Sequence, residues 1–140
     1  MITYTTDLTG VTADHLHGFF VGWPAPPTPP TFLRMLHSSA HVVIAQDGPQ
    51  VVGFATAISD GVLSAYIPLL EVLPAYQGQG IGKEIMRRLL HDLSDLYMID
   101  VMCDDDVVPF YARLGMTPAG GMILRNYARQ AGRGALPAEK

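Results

Sequence analysis

The stretch Pro74-Ala75-Tyr76-Gln77-Gly78-Gln79-Gly80-Ile81-Gly82-Lys83 decides how this chain reads. It follows the apolar run Leu69-Leu70-Glu71-Val72-Leu73 and opens an amphipathic helix. A strand that ends in a glycine-dense turn and continues as a helix presents backbone N–H groups with few side chains in the way. Those donors, with the positive end of the helix dipole, suit an anion such as phosphate. The order of the glycines excludes two familiar phosphate loops. A Walker loop needs GxxxxGK followed by Ser or Thr, but position 77 is Gln and Glu84 follows Lys83. A dinucleotide fingerprint needs GxGxxG, but Gly78, Gly80 and Gly82 bring the third glycine one residue early. What fits is Q-x-x-G-x-G, from Gln77 to Gly82, behind a strand of the form L-x-V-x-P. The bland alternative is a tight strand-to-helix turn with no ligand.

Working outward, the helix from Gly80 to about Asp95 is the best-defined element. Ile85, Met86, Leu89, Leu90, Leu93 and Leu96 follow the three-to-four spacing of a buried stripe, with Lys83, Glu84, Arg87, Arg88, Asp92 and Asp95 opposite. Upstream, Leu63–Leu73 reads as a strand interrupted by Pro68, where a central strand should not carry proline, so a bulge or splay is expected. Before it, two β-rich runs, His41–Gln46 and Gln50–Ile58, flank Asp47-Gly48-Pro49 as a hairpin. Ile2–Thr6 reads as a first strand, Thr12 caps a helix through Phe20, and Thr31–Ser39 forms a second helix. Between these helices, five prolines from Pro24 to Pro30 dictate an extended loop. That loop is either a surface connector, the reading favoured here, or a rigid lip with Trp23 as an aromatic wall.

Downstream, Tyr97–Cys103 reads as a short strand covered on both faces. Asp104-Asp105-Asp106, Pro109 and Gly115 then delimit a short helix. Met116–Arg125 supplies one or two last strands broken by Gly120-Gly121. The domain is expected to span 1–127, with 128–140 a flexible tail.

At 140 residues, 49% of them hydrophobic, the chain reads as one globular domain with a proper core. Its net charge of −4 and lack of a basic block argue against nucleic-acid binding. No apolar run approaches the ~18–20 residues of a membrane span, and the start has no signal-peptide pattern. Cytoplasmic location is the default. The single cysteine, Cys103, excludes an internal disulfide framework and a multi-cysteine zinc site, and no metal is expected.

The turn from Gln77 to Gly82 resembles the acetyl-CoA-binding motif of the GNAT superfamily of N-acetyltransferases. Phe110-Tyr111-Ala112-Arg113-Leu114-Gly115-Met116 resembles that family's second signature, F-Y-x-x-x-G-F, with Met116 where Phe is usual. The two motifs come in the right order on compatible elements, and the resemblance covers the chain from the first strand to Arg125. It implies an α/β fold: a mixed, mostly antiparallel sheet of six to seven strands, splayed between the fourth and fifth, with about four helices.

The resemblance also implies transfer of an acetyl group from acetyl-CoA to a primary amine, by direct attack in a ternary complex. The backbone of Val72 and Leu73 should pair with the pantetheine arm. Gln77, Gly78, Gln79, Gly80, Ile81, Gly82 and Lys83 should wrap the pyrophosphate, with Phe110 and Tyr111 beside the cofactor. Asp104 stands where the family usually has an Asn that touches it; an ionised carboxylate only accepts hydrogen bonds, so a donor role would be lost. Tyr111 takes the general-acid role toward the departing thiolate. A phenol near pKa 10 can protonate a thiolate whose conjugate acid is near about 8.5.

The base is open. Some GNAT enzymes carry a glutamate eleven positions before the motif Gln, where this chain has Tyr66. Glu71 is either a pocket carboxylate, hence a base candidate, or a rim charge. His15, His17, His37 and His41 are weaker candidates, and a water relay without a dedicated base stands beside any named residue. Cys103, at a strand end, reads as a buried inert thiol in preference to an acetyl-cysteine route. A homodimer is a family-level expectation. The competing functions are a non-catalytic acyl-CoA-binding or regulatory domain of this fold, and a structural module.

Overall fold

A computed structural model describes residues 1–134. Five strands form one sheet in sequence order: β1 (Ile2–Thr5), β2 (His41–Asp47), β3 (Gln50–Ser59), β4 (Ser64–Val72) and β5 (Met98–Val101). Neighbours are antiparallel except β4 and β5, which run parallel. The α-helices are α1 (Pro29–Ser38), α2 (Ile81–Asp92) and α3 (Val108–Ala112).

The α/β class and the mixed, mostly antiparallel sheet are as expected. The counts are lower than the expected six to seven strands and about four helices. Among the described residues there are five strands, because Met116–Arg125 joins no sheet, and three α-helices. The helix expected from Thr12 to Phe20 is only a 3-10 turn, Ala13–His15. Gly18 and then Phe20 take left-handed backbone angles (φ 93° and 62°) that no helix continues through. What replaces the helix is an aromatic cluster: the Phe19 and Phe20 rings lie 5.3 and 5.0 Å from that of Phe32, and Phe32 lies 4.6 Å from Phe54. Helix α1 begins two residues earlier than its apolar pattern suggests. Pro29 and Pro30 occupy the first turn, where no N–H is needed, behind Thr28, whose hydroxyl accepts from the Thr31 amide.

The sheet carries a core on each face. On one side Val43, Val52 and Ala55 pack under Ile85, Met86 and Leu89 of α2. On the other, Ile44, Val51 and Phe54 pack under Leu16, Phe32 and Leu36. Gly53 sets how closely α2 can approach, since a Cβ there would lie 2.9 Å from Ile85 Cδ1. The short strand β5 corrects one expectation. Ile99 and Val101 face the core, whereas Met98, Asp100 and Met102 are exposed, so it is covered on one face.

Strand β4 does carry a bulge. Leu69 opposes Thr56 and Tyr66 opposes Ile58, so three steps along β4 match two along β3. The extra residue falls beside Pro68, which has no N–H to leave unpaired. Pairing with β5 runs from Ser64↔Met98 to Ile67↔Val101 and stops. Beyond it, β4 continues along β3 to Val72 while the chain after β5 turns away. The sheet therefore opens between its fourth and fifth strands.

The C-terminal residues expected to be a flexible tail fall into two parts. Within 128–134, the Ala25 amide donates to Gln130 Oε1 at 2.9 Å, and Arg34 Nη2 donates to the Arg133 carbonyl. Residues 135–140 lie outside the described part.

Candidate active site

The opening between β4 and β5 is a cleft of about 430 Å3. Its walls include Phe54, Glu71, Cys103, Asp104, Phe110 and Tyr111. The proline-loop residue Trp23 also lines it, which makes Trp23 the aromatic wall rather than part of a simple connector.

The glycine turn lies at the same end of the sheet. After Val72 the chain makes a 3-10 turn (Pro74–Tyr76), then Gly78 and Gly80 adopt φ of 78° and 79° before α2 begins. Nothing lies within 4 Å of a Cβ built at either glycine, so their outer side is open. The first helical bond into α2 comes from the Glu84 amide to the Gly80 carbonyl. Gly80 has no side chain to cap the helix, so the Ile81, Gly82 and Lys83 N–H groups precede the first intrahelical acceptor. Amides without a helical acceptor suit phosphate oxygens. Two hydrogen bonds hold the turn in place. Tyr76 Oη donates to Asp47 Oδ2 at 2.6 Å, and Gln77 Nε2 donates to the Val72 carbonyl at 3.0 Å. A Cβ on Gly82 would lie 3.6 Å from Val72 Cγ2 and 4.0 Å from Phe110 Cζ, so turn and cleft adjoin through Phe110.

Of the two backbone partners expected for a pantetheine arm, Leu73 has its N–H committed to the Val52 carbonyl at 2.9 Å. By the alternation of a strand, the Val72 peptide groups face away from β3, toward the opening. The Val72 carbonyl is met by Gln77, which leaves its N–H. Asp104, Phe110 and Tyr111 line the cleft; Gln77, Gly78, Gln79 and Lys83 are exposed at its approach.

Tyr111 sits on α3, half-buried, its ring edge-on to Phe110 at 5.0 Å. Burial, and secondarily the negative charge of a Cys103 thiolate, push its phenol above the usual value of 10. The hydroxyl therefore keeps its proton through the physiological range.

Glu71 lines the cleft, but its carboxylate is engaged. Oε1 accepts from the Phe20 amide at 2.8 Å and Oε2 from the Val21 amide at 3.3 Å. It thus holds the loop whose Phe20 has a left-handed backbone and whose Trp23 ring packs on Phe20 at 4.9 Å. None of the histidines lines the cleft. His15 Nδ1 instead accepts from the Thr12 amide at 3.1 Å.

Sequence reasoning missed Ile123 and Arg125, which reach the cleft from the unpaired C-terminal segment, and it expected Cys103 to be buried, whereas the thiol is exposed at the cleft because the strand ends before it. The pull of Glu71 on the Phe20 loop had one sequence signal, an isolated acid in an apolar strand.

The family model for GNAT acetyltransferases matches residues 8–116. This chain belongs to the GNAT family. Among solved structures, it is similar to a candidate acetyltransferase from Deinococcus radiodurans, with 54% identity and a TM-score of 0.93, covering 96% of this chain and 94% of that one. A GNAT-family protein from Streptococcus pneumoniae is 31% identical with a TM-score of 0.73, covering 90% and 98%. Among curated relatives, an uncharacterised N-acetyltransferase of Porphyra purpurea is 33% identical, over 68% of this chain and 58% of that protein. A chloroplastic N-acetyltransferase of Arabidopsis thaliana is 40% identical, over 61% of this chain and 36% of that one. The GNAT chain described here thus spans only part of the length of these curated relatives.

Proposed function

We propose that this chain is an N-acetyltransferase that moves an acetyl group from acetyl-CoA to a primary amine in a ternary complex. The observation that carries the reading is the opening of the sheet after Ile67 and Val101, beside the Tyr111 hydroxyl and next to a turn with unpaired amides. The open outer side of Gly78 and Gly80 fits a pyrophosphate, which would rest on the amides of Gln79 to Lys83. The Val72 N–H would receive a carbonyl of the pantetheine arm. When bound, the coenzyme supplies a thioester acyl group and a thiol leaving group. Tyr111, carried by α3 to the cleft wall, would give its Oη proton to the departing sulfur.

Glu71 is best read as a positioning residue, because both of its oxygens already receive backbone donors. The ammonium proton of the acceptor would then leave through water, with Asp104 as a carboxylate at the cleft rim. Trp23 and Phe54, both lining the cleft, would wall the acceptor side, and fixing both reactants there would supply rate by proximity. A cytoplasmic setting and action as a whole enzyme belong to the same proposal. Among the described residues, no helix is long and apolar enough to cross a membrane.

Titration calorimetry with acetyl-CoA and with coenzyme A tests the first half: one equivalent should bind saturably, and no heat at millimolar ligand would sink the reading. Thiol release across a panel of amines tests the second. Binding without turnover on any amine would instead favour an acyl-CoA-binding regulatory domain, a reading that has in its favour the engagement of both Glu71 oxygens by backbone amides.

A further inference from the structure

The cleft carries one positive charge that the transfer step leaves unused. Among the described residues, Arg125 is the only cation in the cleft wall. It forms no ion pair there: the described pairs join Arg87 and Arg88 to Glu84. The nearest candidates within the cleft are otherwise occupied or set apart. Both Glu71 oxygens accept from the Phe20 and Val21 amides, and Asp104 belongs to the segment that leads into α3.

The course of the chain fixes which side of the cleft Arg125 serves. A Cβ on Gly121 would lie 2.8 Å from Met102 Sδ, so the chain there rests on the face of β5 turned away from the α2 core. Further on, Gln130 Oε1 accepts from the Ala25 amide at 2.9 Å, and the Arg133 carbonyl accepts from Arg34 of α1. Those two tethers belong to the proline loop and to the helix that cover the same face. Between its fixed points the segment crosses the cleft, and Ile123 and Arg125 line it from that crossing. Trp23, packed on Phe20, and Phe54 line it from the same face. Tyr111 packs instead with the α2 core. The cleft thus has a phenol on one side of the sheet, and a cation between apolar walls on the other.

We propose that the acceptor is an amine that also bears a carboxylate, an amino acid with an apolar side chain, a reading that rests on the transferase function of the same cleft. Arg125 pairs with the carboxylate, Trp23 and Ile123 flank the side chain, and the amine lies toward Tyr111. A guanidinium meets a carboxylate through two parallel N–H···O bonds. One cation balances a monoanion, whereas a phosphate ester brings close to two negative charges. A neutral amine would close the cleft over an unpaired guanidinium, and a missing partner of that kind is a strong source of discrimination. In the transfer, the amine nitrogen bonds to the acetyl carbon, the C–S bond breaks, and the sulfur leaves with the Tyr111 proton. Of the two protons the ammonium loses, one restores the phenol and one passes to water, so the products are an N-acetylamino acid and free thiol.

Leucine, methionine and phenylalanine, each beside its own amide, are the probes. Calorimetry with coenzyme A present reads binding, and thiol release from acetyl-CoA reads turnover. Trp23 is the only tryptophan of the chain, so its fluorescence gives a second binding signal from the cleft itself. At least one acid should bind the parent about 10–100-fold more tightly than its amide, with the same advantage in KM. That advantage should vanish in Arg125→Met and return in part in Arg125→Lys, while acetyl-CoA affinity stays within a few-fold. Acids that bind no better than their amides would overturn the proposal. So would an Arg125→Met protein that weakens acids and amides equally, or one that loses acetyl-CoA affinity, which would make Arg125 a coenzyme contact. Tighter binding of 2-aminoethyl phosphate than of any acid would overturn it in favour of a phosphate. A parent that fails to bind acetyl-CoA defeats the transferase reading separately. The comparison of acid with amide needs neither turnover nor a variant, so it still decides the role of Arg125.

Discussion

Replacing Glu71 separates its two readings, base and anchor. In Glu71→Ala, the Phe20 amide loses an acceptor at 2.8 Å and the Val21 amide a longer one at 3.3 Å. A hydrogen bond to a charged group contributes about 1.5–3 kcal/mol, and the longer bond adds little. The left-handed backbone at Phe20 (φ 62°) stores on the order of 1–3 kcal/mol, and part of that is relieved once the loop is released. The expected net loss is roughly 1–2 kcal/mol. In a domain of this size, that is a fall in Tm of roughly 3–8 °C by calorimetry. Glu71→Gln keeps a carbonyl acceptor for one amide and should lose about 1 kcal/mol. Kinetics supply the second reading. An anchor acts through Phe20 and the Trp23 ring stacked on it, so both variants should raise the acceptor KM and leave kcat within a few-fold. A base would show the reverse, kcat falling about 10²–10⁴-fold in Glu71→Gln at unchanged KM. A Glu71→Ala protein melting within about 2 °C of the parent would refute the anchor argument.

Other predictions follow from the same geometry. Tyr111→Phe should lower kcat about 10²–10⁴-fold while acetyl-CoA affinity by calorimetry stays within a few-fold; unchanged turnover would remove Tyr111 from the mechanism. Since burial and a negative Cys103 raise the Tyr111 phenol, the alkaline limb of kcat that it controls should lie above pH ~10. Cys103→Ser removes the smaller cause, so the limb should move down without reaching the free-phenol value; an upward move would contradict the assignment. The stability linked to the neutral phenol is full below about pH 10 and declines as pH rises through its folded value. Gly80→Ala meets no clash but forces a side chain onto φ 79°, which costs about 1–2 kcal/mol and should weaken coenzyme binding more than it lowers Tm. Phe54→Ala, emptying the centre of the aromatic cluster, should destabilise by about 3–5 kcal/mol in urea unfolding.

What could be read in the sequence was carried by local chemistry. The stripe Ile85, Met86, Leu89 and Leu93 is fully buried, as its spacing requires, and the glycine turn opens α2 where its motif places it. Pro68 marked the bulge because one missing N–H is a local fact. The misreadings have non-local causes. Leu16, Phe19 and Phe20 have helical spacing, yet their partners Phe32 and Phe54 draw them into a cluster that a helix could not reach. Asp104 and Cys103 enter the cleft only because β5 stops pairing at Val101. Met116–Arg125 has strand composition, but a strand needs a neighbour, and none of the described strands supplies one.

The bulge in β4 does more than part the sheet. Ahead of it Ala65 and Ile67 point into the α2 core, and after it Leu70 and Val72 do, so odd positions yield to even ones. Glu71 faces the Phe20 loop only because of that change of parity. Remove one residue beside Pro68, and two steps along β4 would match two along β3: the bulge would close, while Leu70 and Glu71 kept the faces they have now. A single deletion there would therefore spare both cores and act on the opening of the sheet alone, whereas an added residue would find no bulge to close and would have to widen the one that exists.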